Sequence, residues 1–122
     1  MSMPPIPVPD ILKACEGMLR KQLYVIFTRP TKGLEPVMAN LKEHLDFLMF
    51  AAGPHWNDEE TGWEGEGMVV VRAASLAEAR KIADSDPMHK AGARSYTVRP
   101  WLINEGTITV KLDYSSGKFE VT

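Results

Sequence analysis

The chain has 122 residues, 44% of them hydrophobic and 25% charged, with a formal net charge of −2. A domain of this length buries roughly two-thirds of its unfolded surface and can hold a core without staples. The near-neutral charge excludes a broad nucleic-acid surface, and the single cysteine, Cys15, excludes an internal disulfide. No apolar run approaches the ~20 residues of a membrane-spanning helix.

The chain opens on an extended lead-in with Pro4, Pro5, Pro7 and Pro9. These first nine residues have neither the basic start nor the apolar stretch of a signal peptide, so a cytoplasmic location is expected by default. Asp10 is placed to cap a helix from Ile11 to about Lys21, with Ile11, Leu12, Cys15, Met18 and Leu19 on its apolar face and Gly17 weakening it. Leu23–Thr28 is rich in β-branched and aromatic residues and reads as a buried strand. From Leu34 the period changes. Leu34, Val37, Met38, Leu41, Leu45 and Leu48 recur at three and four, which predicts an amphipathic helix to about Leu48.

Phe50 to Pro54 reads as a very short strand or a bend. Residues 55–67 are acidic and glycine-rich and read as a loop that carries Trp56 and Trp63. Met68–Arg72 is a second buried strand. Ser75 with Glu78 three residues later forms a capping box for a helix over Leu76–Asp84, which Asp86-Pro87 ends. Ser95–Arg99 is a third strand, stopped by Pro100. The tail predicts a β-hairpin from Thr107–Tyr114 and Phe119–Val121 around Ser115–Lys118.

The order strand, helix, short strand, strand, helix, strand is that of a ferredoxin-like α+β fold. It forms one domain over 1–122, with a core at about 23–101, an N-terminal extension (1–21) and a C-terminal hairpin (107–122). Both helices lie on one face of such a sheet. An apolar open face is most simply covered by a second copy, so a homodimer is expected.

An ordered set of motifs carries a family resemblance. Glu43-His44-Leu45-Asp46-Phe47-Leu48 is followed by Ala52-Gly53-Pro54 and by Gly65-Glu66-Gly67 leading into Met68–Val71. Then come Ala74–Ala79, Ser85-Asp86-Pro87-Met88, Ala91-Gly92 and Val98-Arg99-Pro100-Trp101. Over about 23–101 the chain resembles the YciI-like (YCII-related) family. The resemblance implies a dimeric α+β barrel with a cleft whose acid–base pair is a histidine and an aspartate, here His44 and Asp86, beside the Gly53-Pro54 turn. The family's relatives include an enzyme that removes chloride from a chlorinated hydroxyquinol. The connection from Leu48 to Gly53 is shorter than the family's pattern, so a shortened second strand is expected.

The residues themselves leave alternatives open. His44, three after Leu41 and four before Leu48, borders the apolar stripe. It is either a buried, hydrogen-bonded histidine or a proton shuttle in a cleft. Asp86 is either a turn former or the carboxylate that orients the His44 ring. Gly53 and Pro54 are a turn, or they aim a backbone N–H at an oxyanion. His55 and Trp56 anchor a loop or wall a pocket, and Arg99 makes a surface ion pair or binds a substrate carboxylate. His44, His55, Asp86 and His89 match no metal-ligand spacing, so neither a metal nor another cofactor is expected. Cys15 reads as a small buried hydrophobe. The expected function is proton transfer with elimination or isomerisation on a small molecule. The alternative is a non-catalytic ligand-binding or accessory dimer. Neither reading involves nucleic acid or a membrane.

Overall fold

The computed structural model describes residues 3–42 and 50–121. The helix expected from Leu34 to about Leu48 is corrected: it ends at Ala39, where Asn40 caps it with its N–H on the Val37 carbonyl, and residues 43–49, His44 among them, lie outside the described residues. In chain order the elements are α1 (Val8–Ala14), β1 (Lys21–Pro30), α2 (Leu34–Ala39), β2 (Ala51–Trp56), β3 (Trp63–Val71), α3 (Leu76–Ser85), α4 (Pro87–Lys90), β4 (Arg94–Ile103), β5 (Val110–Asp113) and β6 (Lys118–Val121). Two compact units divide the chain. One is Gln22–Leu102; the other joins the chain ends, Met1–Lys21 with Ile103–Thr122.

The larger unit is the α+β layer that the element order predicts, an antiparallel four-stranded sheet in the order β2-β3-β1-β4. Tyr24 stands opposite Val71 and Ile26 opposite Val69, which fixes the register of the two central strands. Side chains alternate faces along a strand. Tyr24, Ile26, Val69 and Val71 therefore share one face, where they pack on Ala79 and Ala83 of α3, with Tyr96 and Val98 of β4 beside them. Leu23, Val25 and Val70 are buried on the other face. A second cluster joins Val37 of α2 to Met88 and Ala93, with Leu41 and Trp63 against it.

α3 starts where its capping box predicts. The Ser75 hydroxyl accepts from the Glu78 N–H at 3.1 Å, and the Glu78 carboxylate reaches back to the Ala74 N–H at 3.0 Å. The residues expected to be a loop over 55–67 belong largely to a hairpin. β2 runs on through Trp56, which pairs with Trp63, and the connection shrinks to residues 57–62. Asn57 closes it, its side-chain oxygen accepting from the N–H groups of Thr61 (2.8 Å) and Gly62 (3.2 Å).

The glycines that read as breakers are what let these strands meet. Gly65 has φ +93°, and a Cβ there would run into the side chains of Pro30 and Leu34. It sits where the β2–β3 register shifts, between Pro54 and Trp56. A Cβ at Gly67 would lie 3.0 Å from the Gly53 carbonyl oxygen. The strand expected at Phe50–Pro54 spans six residues, Ala51–Trp56, and β4 passes through Pro100 instead of stopping there. Pro54 and Pro100 both lie on outer strands, where a missing N–H is tolerated.

In the unit of chain ends, α1 begins at Val8 and not at Ile11, because proline fits the first helical turn. It ends at Ala14, ahead of Gly17 with φ +85°. β5 and β6 form the C-terminal hairpin, with Val110 opposite Val121 and Leu112 opposite Phe119.

Two substitutions test these local reasons. Ser75→Ala is expected to cost about 1 kcal/mol through the lost cap. Gly65→Ala is expected to cost more, because it adds left-handed strain of roughly 1–2 kcal/mol to a steric conflict. Urea denaturation of both variants, compared with the parent chain, ranks them; the reverse order would contradict the role given to Gly65.

Candidate functional site

Asp86 sits between α3 and α4 and is 2% exposed. Proline at 87 drives the preceding residue out of the helical region, and Asp86 is extended, at φ −62° and ψ 128°. Its N–H still closes α3 on the Ala83 carbonyl (3.2 Å), while its carbonyl accepts from the N–H groups of His89 and Lys90, both at 2.9 Å. Its side chain turns back to cap α4, with Oδ1 accepting from the Met88 N–H at 2.9 Å. One residue thus ends one helix, starts the next and holds a carboxylate inside the protein.

The charge that answers it is Arg94, at the start of β4 and 6% exposed. Burial pushes its guanidinium below the ordinary arginine value, and the Asp86 carboxylate pulls it back up. The guanidinium carbon lies 5.9 Å from the centre of the Trp63 ring, and the buried Nε–H has no hydrogen-bond partner. Arg94 was not singled out from the sequence. The inward alternation of Tyr96 and Val98, carried two residues back, would have placed it inside.

His89 lies beside this pair and serves as a strut. Its Nδ1 is 2.6 Å from the Ala83 carbonyl oxygen and its Nε2 is 3.0 Å from the Thr28 hydroxyl oxygen. A carbonyl only accepts, so Nδ1 carries the proton; in the neutral ring Nε2 accepts from Thr28. The ring centre is 4.8 Å from that of Tyr96, whose hydroxyl donates to Asp84 at 2.6 Å. This hydrogen bond holds the Tyr96 phenol above its ordinary value; burial and the Asp84 charge act in the same direction, and Arg80 opposes them. Among the described residues, no three His, Cys, Asp or Glu side chains are grouped to hold a metal ion.

The other residues singled out in the sequence lie elsewhere on the sheet. Gly53, Pro54, His55 and Trp56 are exposed on β2. Gly53 shares its face with Met68 and Val70, away from α3, and a shallow apolar hollow of about 280 Å³ opens there between Ala51–His55, Met68 and Val70. His55 and Trp56 also border an acidic hollow of about 280 Å³ with Asp58, Glu59, Glu64 and Glu66. Arg99 is exposed on β4, the opposite outer strand. Three strand spacings of about 4.8 Å put roughly 14 Å between β2 and β4. The structure therefore brings Asp86 to Arg94 and gathers Gly53–Trp56, but it does not bring Arg99 to that strand within one chain. His44 lies outside the described residues.

The comparisons match this architecture. The YCII-related domain matches residues 22–102. A solved structure, the 5-chloro-2-hydroxyhydroquinone dehydrochlorinase of Burkholderia phenoliruptrix AC1100 in complex with 2,5-dihydroxybenzoquinone, superposes with a TM-score of 0.56 at 24% identity. The match covers 65% of this chain and 92% of that one, and it shows a shared fold. No curated protein sequence matches the chain.

Asp86→Ala removes both a cap and the charge facing a buried cation, and is expected to destabilise by about 3–5 kcal/mol. Asparagine caps as well as aspartate, so Asp86→Asn isolates the charge. Adding Arg94→Met to that variant should recover much of its loss in urea denaturation; no recovery would remove the ion pair from the account. Tyr96 gives a pH test. Its folded value is raised, so its contribution is fully present below the unfolded value of about 10 and is lost as pH rises through the folded one. Asp84→Ala should shift one tyrosinate absorbance transition to lower pH; an unmoved titration would contradict the assignment.

Proposed function

Because this chain belongs to the YCII-related family, we propose that it is a small-molecule enzyme in which His44 moves a proton and Asp86 orients it. The observation that carries the reading is the state of Asp86: a carboxylate 2% exposed, fixed by the Met88 N–H and faced by a buried guanidinium. A carboxylate held this firmly suits the orienting member of an acid–base pair, because a histidine set against it keeps one tautomer and one direction. Val37 and Leu41 pack in the cluster that holds Met88, two residues from Asp86.

The proposed reaction class is proton transfer with elimination or isomerisation. A base takes a proton from the substrate. The electron pair released either expels a leaving group on the adjacent carbon or accepts a proton at a second position. Both versions balance without a cofactor. The substrate class is a small, oxygen-substituted ring, taken from the dehydrochlorinase that shares the fold.

Two compounds named with that relative are the first probes. Chloride release from 5-chloro-2-hydroxyhydroquinone reports turnover, and spectrophotometric titration with 2,5-dihydroxybenzoquinone reports binding. His44→Gln keeps a hydrogen-bonding group but cannot shuttle protons. It is expected to lower turnover by about 10²–10⁴-fold while the binding constant stays within a few-fold. Turnover that survives in His44→Gln would sink the acid–base reading. Saturable binding with no product, alike in both proteins, would establish the non-catalytic ligand-binding module instead.

A further inference from the structure

Asp86 and Arg94 are the buried charged side chains among the described residues. Asp86 serves the fold directly, because it ends α3, starts α4 and accepts from the Met88 N–H. The contacts of Arg94 serve it less. Its Nε–H is buried without an acceptor, and a desolvated donor in that state destabilises. Its guanidinium carbon lies 5.9 Å from the centre of the Trp63 ring, near the outer limit of a cation–π contact. An apolar side chain of similar length would pack as well against that ring. What it would lack is the charge, and the charge that Arg94 meets is that of Asp86.

The backbone fixes where this charge stands. The Ala93 N–H donates to the Met88 carbonyl and the Ala93 carbonyl accepts from the Thr31 N–H, both at 3.0 Å, so the start of β4 is tied to the helix that Asp86 caps and to the end of β1. Every other Asp, Glu, Lys and Arg described on α2, α3, α4, β1, β3 and β4 is exposed, where water and salt screen it. His89 of α4 is engaged at both ring nitrogens, by Ala83 and Thr28. Tyr24 of β1 and Tyr96 of β4 add no charge at neutral pH.

We propose that Arg94 is a positioning residue of the acid–base pair: its guanidinium is the fixed counter-charge that keeps the Asp86 carboxylate anionic and limits how strongly that carboxylate holds a proton on His44. The inference rests on the acid–base reading above and adds a third member to it. A buried carboxylate without a counter-charge binds a proton itself or draws one onto the neighbouring imidazole. Either way the pair takes up its proton at higher pH. An imidazole that already carries this proton cannot take one from a substrate. Arg94 offsets part of the negative charge, so the imidazole releases its proton more readily while the carboxylate still orients it.

The test reads the imidazole in the full chain, by NMR titration of the histidine Cε1–H signals. His44→Gln identifies the His44 signal by removing it. Arg94→Met is expected to raise the His44 midpoint by about 1 pH unit or more, and Arg94→Lys, which keeps the charge, to leave it within a few tenths of a unit. Should Arg94→Met unfold, the double variant Asp86→Asn with Arg94→Met carries the test, since both charges leave together. Its His44 midpoint should match that of Asp86→Asn within a few tenths of a unit, because Arg94 acts through Asp86. An unmoved midpoint in folded Arg94→Met, an equal shift in Arg94→Lys, or a further shift in the double variant would overturn the proposal and leave the acid–base reading standing. A midpoint that ignores Asp86→Asn would overturn that reading, and this proposal with it.

Discussion

The larger unit is organised around a buried charge at a helix junction. Pro87 cannot follow a helical residue comfortably, so the chain must be extended at position 86. An aspartate there can end α3 through its backbone and start α4 through its side chain, both within one residue. The arrangement carries a carboxylate into a buried position, and such a charge is tolerated only beside an opposite one. Arg94 supplies it, eight residues on, at the first position of β4. The pair therefore constrains where β4 begins and which way its alternation runs. It also seats α4, whose Met88 is fully buried against Val37 and Ala93. The stability of this corner and the rigidity of the carboxylate share one cause.

Much of the architecture is legible in the sequence, because the larger helix and the central strands bury one face and announce it. The Ser75–Glu78 box identifies α3 almost to the residue, and the alternation around Ile26, Val69 and Val71 identifies the centres of β1 and β3, although β3 begins five residues before the strand read from the sequence. Legibility ends where a residue has two meanings. Glycine reads as a breaker, yet Gly65 and Gly67 permit a close approach and a bulge inside β3. Proline reads as a stop, yet Pro54 and Pro100 lie within strands that have no further neighbour. Composition reports the cost of such residues in an average setting and is silent about the neighbour that makes them fit.

The site divides in the same way. Asp86 is legible because Asp-Pro is a local pattern with a local cause. Arg94 is legible only through the alternation of Tyr96 and Val98, because an arginine opening a strand usually faces water and the carboxylate that makes its burial possible belongs to the helix junction. Gly53 and Arg99 carry family motifs, and only the strand order reveals that they stand on opposite borders of the sheet. His89 and Thr28, 61 positions apart, meet only because α4 is set down over β1. Contacts of this kind depend on topology, which the pattern of a single segment does not encode.

The prolines in β2 and β4 have a consequence at high protein concentration. A sheet that ends in free donors and acceptors can recruit strand after strand, and nothing in that geometry stops the growth. Each border of this sheet lacks a donor in mid-strand, which leaves open-ended fibre growth without a continuous template. Crowding therefore raises the frequency of edge encounters without giving them a template on which to grow.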